Sequence, residues 1–238
     1  MKTLVNVRAS SWLLLVGLCC SYVLAMGLPL SWGWENGPLE AFQAVILLVG
    51  AALAGLAAYQ QRDMAAGKVW CVAALFWLGM LGRELSWGAV FTAPLGVDPL
   101  SGPVYSSSVL WWKPAVVWVC SAMLLVAVYW VTRYRLITRV GMRWWREAAT
   151  PWGCLVAFVA AMLLSALAEG HGGVLMAQLP AAARMVMEEM AETWAYVALW
   201  WAQWRLVHHM QEWRASSYLQ TMHFSMRDLG EGFERRPI

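Results

Sequence analysis

The residues best suited to chemistry in this 238-residue chain are carboxylates, arginines and one histidine that border or interrupt very apolar segments. They are Glu40, Arg83, Glu84, Glu169, His171, Arg184, Glu188, Glu189 and Glu192. Side chains of these types bind cations, ligate metals or transfer protons when they meet at low dielectric constant. If the apolar segments are membrane spans, all of these residues map to one membrane face, so the sequence predicts one shared polar pocket.

The elements that carry these side chains are predicted to be transmembrane helices. Hydrophobic residues make up 61% of the chain and charged residues 13%, against roughly 45–50% and about 25% in soluble domains. Apolar runs of about 20 residues match the roughly 30 Å hydrocarbon core. We predict an all-α integral membrane bundle of about six helices within residues 1–210, with a cytoplasmic tail over 211–238. The predicted spans are about 11–30, 41–59, 69–91, 109–132, 152–171 and 183–207.

The distribution of basic residues predicts the orientation of the bundle. Of the 17 Lys and Arg residues, only Arg83, Lys113 and Arg184 fall on one side of the predicted spans. The positive-inside rule therefore places both termini in the cytoplasm, with the chain in the inner membrane of a bacterium. The net charge of +3 then reflects topology and does not indicate nucleic-acid binding.

A basic segment follows the fourth predicted span. Arg139, Arg143 and Arg146 recur along one face of a predicted amphipathic helix that also carries Trp144 and Trp145. Such a helix lies on the cytoplasmic leaflet, with its arginines near the headgroups. The expected partners are membrane lipids, and anionic lipid in particular at the three arginines.

Helical heights bring the predicted pocket together. Counted from the inner ends of their spans at 1.5 Å per residue, Arg83 lies about 22 Å up the third helix and Glu192 about 20 Å up the sixth. An unpaired charge at such depth costs about 2.5–3.5 kcal/mol, so Arg83 is predicted to pair with Glu188 or Glu192. Arg184 stands four residues before Glu188 and offers a second pair. The carboxylates still outnumber the arginines, so a proton, a cation or a cationic ligand group must compensate.

Four interpretations of the pocket remain open. It is a structural salt-bridge network of an accessory subunit, a binding or transport site for a cation or polar lipid headgroup, a divalent-metal site of an intramembrane lipid hydrolase or transferase, or a partner-binding surface. Glu40 also suits a purely local role at a helix start, because Pro38 precedes it at the first helical position. The candidate metal ligands are Glu84, Glu169, His171, Glu188 and Glu192. Neither an ExxH nor an HExxH pattern accompanies them.

Two stretches of the first half resemble uncharacterised multi-pass inner-membrane proteins of bacteria. The first is WENGPLEAFQ, with Glu35, Asn36, Gly37, Glu40 and Gln43, and the second is RELSWGAVFT, with Arg83, Glu84, Trp87, Phe91 and Thr92. That family carries an acidic turn of the form E-[DN]-G-x-x-E-x-x-Q before its second helix and an Arg-Glu or Glu-Glu pair late in its third. The resemblance implies an inner-membrane helical bundle and supplies no activity.

Between the third and fourth spans, residues 92–108 are the predicted lid or re-entrant loop.

Overall fold

The computed structural model describes residues 2–147, 149–171 and 179–234, and the side chains of 12–147, 149–170 and 179–212. Within these residues the chain is mostly helical, as predicted. The α-helices are α1 (Lys2–Gly27), α2 (Pro38–Gln60), α3 (Ala65–Glu84), α4 (Lys113–Arg133), α5 (Met142–Arg146), α6 (Trp152–Ala166) and α7 (Ala181–Glu234). A two-stranded hairpin, β1 (Gly96–Asp98) and β2 (Gly102–Val104), lies between α3 and α4.

Four helical segments of the described residues are long and apolar enough to cross a membrane. They are Leu30–Gln60, Ala65–Glu84, Lys113–Arg133 and Trp152–Gly170. The apolar part of α1, Trp12–Gly27, is shorter. The predicted spans 11–30 and 183–207 are helical too, and the total of six crossings remains a prediction. The tail predicted over 211–238 begins as a direct continuation of α7, which is one helix of 54 residues.

The central helix of the bundle is α7, which packs against α1, α2 and α6, while α2 packs along α3. The short turn between Gln60 and Ala65 makes α2 and α3 antiparallel. The start of α2, the end of α3 and the start of α7 therefore lie at one end of the bundle. We call it the acidic end, because Glu40, Glu84 and Glu192 lie there.

The core between these helices is closed by Trp77 of α3. Its indole is 1% exposed and its Nε1 donates to Oε1 of Gln203 at 2.6 Å, while Nε2 of Gln203 donates to the carbonyl oxygen of Gly50 at 3.0 Å. A Cβ atom on Gly50 would lie 2.7 Å from the indole ring. Glycine is therefore what allows α2 to approach α3 so closely at this level.

The structure ends α3 at Glu84, well before residue 91, where the third span was predicted to end. Three successive residues then have positive φ: Ser86 at 44°, Trp87 at 55° and Gly88 at 99°. Left-handed backbone cannot continue an α-helix, so a 3₁₀ segment, Ser86–Phe91, replaces the predicted last turns. Arg83 consequently lies in the final turn of its helix with a 59% exposed side chain.

The segment 92–108 forms the hairpin of β1 and β2 where no regular element was predicted. Asp98 accepts hydrogen bonds from the backbone N–H groups of Leu100 and Ser101 at 2.8 and 2.9 Å, and Gly102 has φ 73°. An Asp at the start of a turn and a Gly at its end favour this geometry. Trp34 donates its indole N–H to the carbonyl oxygen of Leu100 at 2.9 Å, which holds the hairpin turn near the acidic end.

The predicted amphipathic helix after α4 is shorter and less regular than expected. Arg135 has φ 50°, which breaks the chain away from α4. A π-helical turn, Ile137–Gly141, follows and leads into the five residues of α5. The basic segment is therefore helical for less than three turns, because a left-handed residue at its start and a wide π turn interrupt it.

Candidate functional site

The acidic end holds an ion pair between α3 and α7. Nη2 of Arg83 lies 2.7 Å from Oε2 of Glu192 and 3.7 Å from Oε2 of Glu84. The hydroxyl of Tyr196 lies 3.1 Å from Glu84 Oε2 and 3.2 Å from Glu192 Oε2. Ser165 of α6 donates to Oε1 of Glu192 at 3.1 Å, so this carboxylate joins three helices. The predicted pairing of Arg83 with Glu192 is present as a contact.

A second group of carboxylates lies beside this pair. One oxygen each from Glu40, Glu84 and Glu189 lies within 4.8 Å of the other two, and we call these three residues the carboxylate cluster. Its members come from the first turn of α2, the last turn of α3 and the third turn of α7. Two ionised groups at this separation repel by roughly 3 kcal/mol at an effective dielectric constant of 20. Three ionised carboxylates therefore need a proton or a cation between them.

Each member of the cluster is oriented by a hydrogen bond. The backbone N–H of Asn36 donates to Oε2 of Glu40 at 2.5 Å, which is the helix-start contact that the sequence allowed for Glu40. Tyr196 donates to Glu84, and Nε2 of Gln43 donates to Oε2 of Glu189 at 3.0 Å. The carboxylates are thus held in place by groups that leave other oxygen lone pairs available.

Gln43 is the most constrained polar side chain at the acidic end, with 0% exposure. Its Nε2 lies 2.7 Å from the carbonyl oxygen of Glu189 and 3.1 Å from Oγ1 of Thr193. A backbone carbonyl only accepts hydrogen bonds, so the nitrogen must face it and the orientation of the amide is fixed. Oε1 is then buried and has no hydrogen-bond partner among the described residues. An orphaned acceptor of this kind costs about 1–3 kcal/mol.

The remaining candidates predicted from the sequence lie outside this cluster. Glu188 is within electrostatic range of Glu169, Glu192 and Arg83 and contributes no oxygen to the cluster. Glu169 is exposed and interacts with other groups. The side chain of His171 lies outside the described residues.

Arg184 does not form the predicted pair with Glu188 within the described part of the chain. Its Nε is buried there without a hydrogen-bond partner. The helical spacing of four residues that suggested this pair permits a contact and does not enforce one, because both side chains have several rotamers.

Sequence reasoning missed the uncharged members of the site as functional residues. Gln43 stands three residues after Glu40, and Tyr196 stands four after Glu192, spacings that place each on the same helix face as its carboxylate. Thr193 and Ser165 carried no comparable signal. The metal ligands proposed from sequence, which included Glu188 and Glu192, also differ from the three residues that the structure brings together.

Contacts to Glu35 connect the loops at the acidic end of the bundle. The backbone N–H of Tyr105 donates to Oε2 of Glu35 at 2.9 Å, and Ser86 donates its hydroxyl to Oε1 at 3.3 Å. Trp112 donates its indole N–H to the carbonyl oxygen of Trp87 at 3.2 Å. One carboxylate thus ties the loop before α2 to the segments on both sides of the hairpin.

The opposite end of the bundle contains a cavity of about 150 Å³. Its lining includes Arg139, Arg143, Glu147 and His209, together with the start of α3. Nε of Arg143 lies 2.8 Å from Oε1 of Glu147, and Nε2 of His209 lies 3.0 Å from Oε2. These hydrogen bonds lower the pKa of Glu147 below its usual value.

Comparisons with known proteins supply no family for this chain: no family model, no curated protein and no solved structure matches it. The resemblance of the two short stretches to bacterial inner-membrane proteins therefore remains a prediction. What the site does has to be argued from its own geometry.

Proposed function

We propose that the protein is a multi-pass membrane protein that binds or transports a cation, or the cationic part of a polar headgroup, at the acidic end of its bundle. The observation that carries the proposal is the carboxylate cluster, in which oxygens of Glu40, Glu84 and Glu189 lie within 4.8 Å of one another. Arg83 is shared between Glu192 at 2.7 Å and Glu84 at 3.7 Å, so this one guanidinium offsets only part of the negative charge of the cluster. A cationic ligand is what such a group of oxygens attracts.

The proposal includes the placement of the chain. Six crossings with both termini in the cytoplasm would put the acidic end at the periplasmic face of a bacterial inner membrane. The basic residues favour this orientation. The ligand would then enter from the periplasm, beneath the hairpin of residues 92–108.

Binding is favoured over catalysis by how the hydroxyl groups are used. Ser165 donates to Glu192, and Ser86 donates to Glu35, so both hydroxyls are engaged with carboxylates that lie outside the carboxylate cluster. Tyr196 is engaged with both Glu84 and Glu192. In a metal-dependent hydrolase or transferase a water bound to the metal can be the nucleophile, so this class is the alternative to binding alone. The cluster offers oxygens suited to holding a cation.

The test is a thermal-unfolding screen of the full-length protein in detergent. Ligands would include Na⁺, Mg²⁺, Ca²⁺, Mn²⁺, ethanolamine and choline, compared for wild type, Glu84→Gln and Glu147→Gln. We expect at least one of these cations to raise the Tm of wild type and of Glu147→Gln and not that of Glu84→Gln. If every cation acts equally on wild type and Glu84→Gln, the proposal is wrong.

A second binding role is proposed for the opposite end, where anionic lipid headgroups would meet Arg139, Arg143 and Arg146. The cavity beside α5 supports it, since Arg139 and Arg143 line a space large enough for a phosphate group. Retention of phosphatidylglycerol in native mass spectrometry should fall in Arg139→Gln. Equal retention of phosphatidylglycerol and phosphatidylcholine by wild type would contradict this role.

A further inference from the structure

We propose that Glu40, Glu84 and Glu189, together with Oε1 of Gln43, form a site for one divalent cation of the hard, oxygen-ligating class, such as Mg²⁺, Ca²⁺ or Mn²⁺. The inference rests on the proposed function and specifies its ligand. It also changes the metal site expected from sequence, because Glu188 and Glu192 are not among the ligands.

The first support is the convergence of three helices. The carboxylates come from residues 40, 84 and 189, and their closest set of oxygens lies within 4.8 Å. Oxygens that ligate one ion at 2.0–2.6 Å are at most about 5 Å apart, twice the metal–oxygen distance. Three oxygens that are all 4.8 Å apart lie about 2.8 Å from their common centre, so small shifts of the side chains, without movement of the helices, bring them within ligand distance of one ion.

The second support is independent of the acidic residues. Gln43 is 0% exposed, and its Oε1 has no hydrogen-bond partner among the described residues. Nε2 of the same amide lies 3.0 Å from Oε2 of Glu189, and the two end atoms of an amide are about 2.3 Å apart, so Oε1 lies within about 5.3 Å of that cluster oxygen. A buried carbonyl oxygen left without a donor beside three carboxylates is a ligand for a cation.

The third support is the arrangement of the surrounding groups. Asn36 fixes Glu40, Tyr196 fixes Glu84, and Gln43 fixes Glu189 through hydrogen bonds. Ligating carboxylates are usually held by such outer contacts, which orient their free lone pairs toward the ion. All four ligands are oxygen atoms, a set that suits Mg²⁺, Ca²⁺ or Mn²⁺ and lacks the imidazole and thiolate groups that favour zinc or copper.

Arg83 and Glu192 complete the electrostatic argument. Their contact of 2.7 Å gives Glu192 its own counter-charge, so Glu192 is a neighbour of the site and not a ligand. Arg83 also lies 3.7 Å from Glu84. A divalent ion neutralises two of the three cluster charges, and the guanidinium lies close enough to Glu84 to offset part of the third.

The experiment is a Mn²⁺ titration of the purified full-length protein in detergent, followed by electron paramagnetic resonance of the free ion. We expect one Mn²⁺ per wild-type chain, displaced by Mg²⁺ or Ca²⁺. Glu189→Gln and Gln43→Met should weaken binding by at least about tenfold. Glu188→Gln removes the neighbouring carboxylate of the same helix, which is not a proposed ligand, and should lower the affinity far less than Glu189→Gln does. Thermal unfolding of each variant without metal shows whether it is folded.

Three results would overturn the inference. They are the absence of a stoichiometric site in wild type, equal affinity in wild type and Glu189→Gln, or an equal loss in Glu188→Gln. If ethanolamine or Na⁺ stabilises wild type while Mn²⁺ does not bind, the divalent site is wrong and the proposed function stands. If no cation of any kind distinguishes wild type from Glu84→Gln, both are wrong.

Discussion

Arg83 of α3 and Glu192 of α7, which are 109 residues apart in sequence, form an ion pair of 2.7 Å. The two partners differ in exposure: the Arg83 side chain is 59% exposed and that of Glu192 is 11%. Arg83 therefore lies at the surface of the bundle while it offsets the charge of a buried carboxylate. The pair fixes α3 against α7 and leaves the carboxylate cluster beside it without an equivalent counter-charge.

The ion pair should be measurable as a coupling energy. Arg83→Gln leaves Glu192 buried without its cation, and we expect it to lower the free energy of unfolding by about 1–3 kcal/mol, toward the low end because Arg83 is exposed. Arg83→Gln combined with Glu192→Gln should be less harmful than the sum of the single changes. The measurement is a double-mutant cycle of unfolding in detergent. Strict additivity would show that the pair contributes nothing.

Gly50 should be far less tolerant of substitution than Gly55, five residues later on the same helix. A Cβ atom at Gly50 would lie 2.7 Å from the Trp77 ring, whereas nothing lies within 4 Å of one at Gly55. We expect Gly50→Ala to destabilise the protein by about 1–3 kcal/mol through overpacking. Gly55→Ala should be neutral or stabilising by up to about 1 kcal/mol. The measurement is thermal unfolding of both variants. Equal changes in the Tm of Gly50→Ala and Gly55→Ala would contradict the close packing of Gly50 against Trp77.

Glu35 should hold the segment after the hairpin in place. In Glu35→Ala no side-chain oxygen remains at this position, so the N–H of Tyr105 and the hydroxyl of Ser86 both lose their partner. We expect faster hydrogen exchange at the Tyr105 amide. The matched control is Asp98→Ala, which removes a carboxylate bonded within the hairpin turn, so exchange should rise at Leu100 and Ser101 instead. Unchanged protection of Tyr105 in Glu35→Ala would refute this role.

The contacts of Glu147 predict a small pH dependence of stability. Hydrogen bonds from Arg143, and with His209, lower the pKa of Glu147 in the folded protein. The contribution of Glu147 to the free energy of unfolding is therefore complete above its pKa in the unfolded chain, about 4.3. It is lost as the pH falls through the lower pKa of the folded protein. The stability difference between wild type and Glu147→Gln should be under about 1 kcal/mol at pH 7 and should vanish on strong acidification. A difference that grows at low pH would have the wrong sign.

The sequence predicted the helical bundle and the meeting of α3 with α7, because apolar length and helical rise are properties of single segments. It did not select among neighbouring carboxylates. Glu188 and Glu189 are consecutive and point about 100° apart on a helix, and only packing decides that Glu189 faces α2. Gln43 was not predicted as a functional residue, because a single uncharged amide in an apolar helix carries no signal in sequence. It becomes informative once the structure shows that its Nε2 is hydrogen-bonded while its Oε1 has no partner among the described residues. The helix α3 ends just before Ser86 and Trp87, which adopt left-handed backbone. This conformation is uncommon for residues other than glycine, so the sequence does not indicate it.

The most direct measurement is an experimental density map of the acidic end, from protein purified without chelators, at a resolution that shows bound ions. The account predicts a non-protein peak in contact with oxygens of at least two of Glu40, Glu84 and Glu189, and within reach of Oε1 of Gln43. Carboxylates bonded directly to one another, with no peak between them and the Gln43 amide turned away, would contradict it.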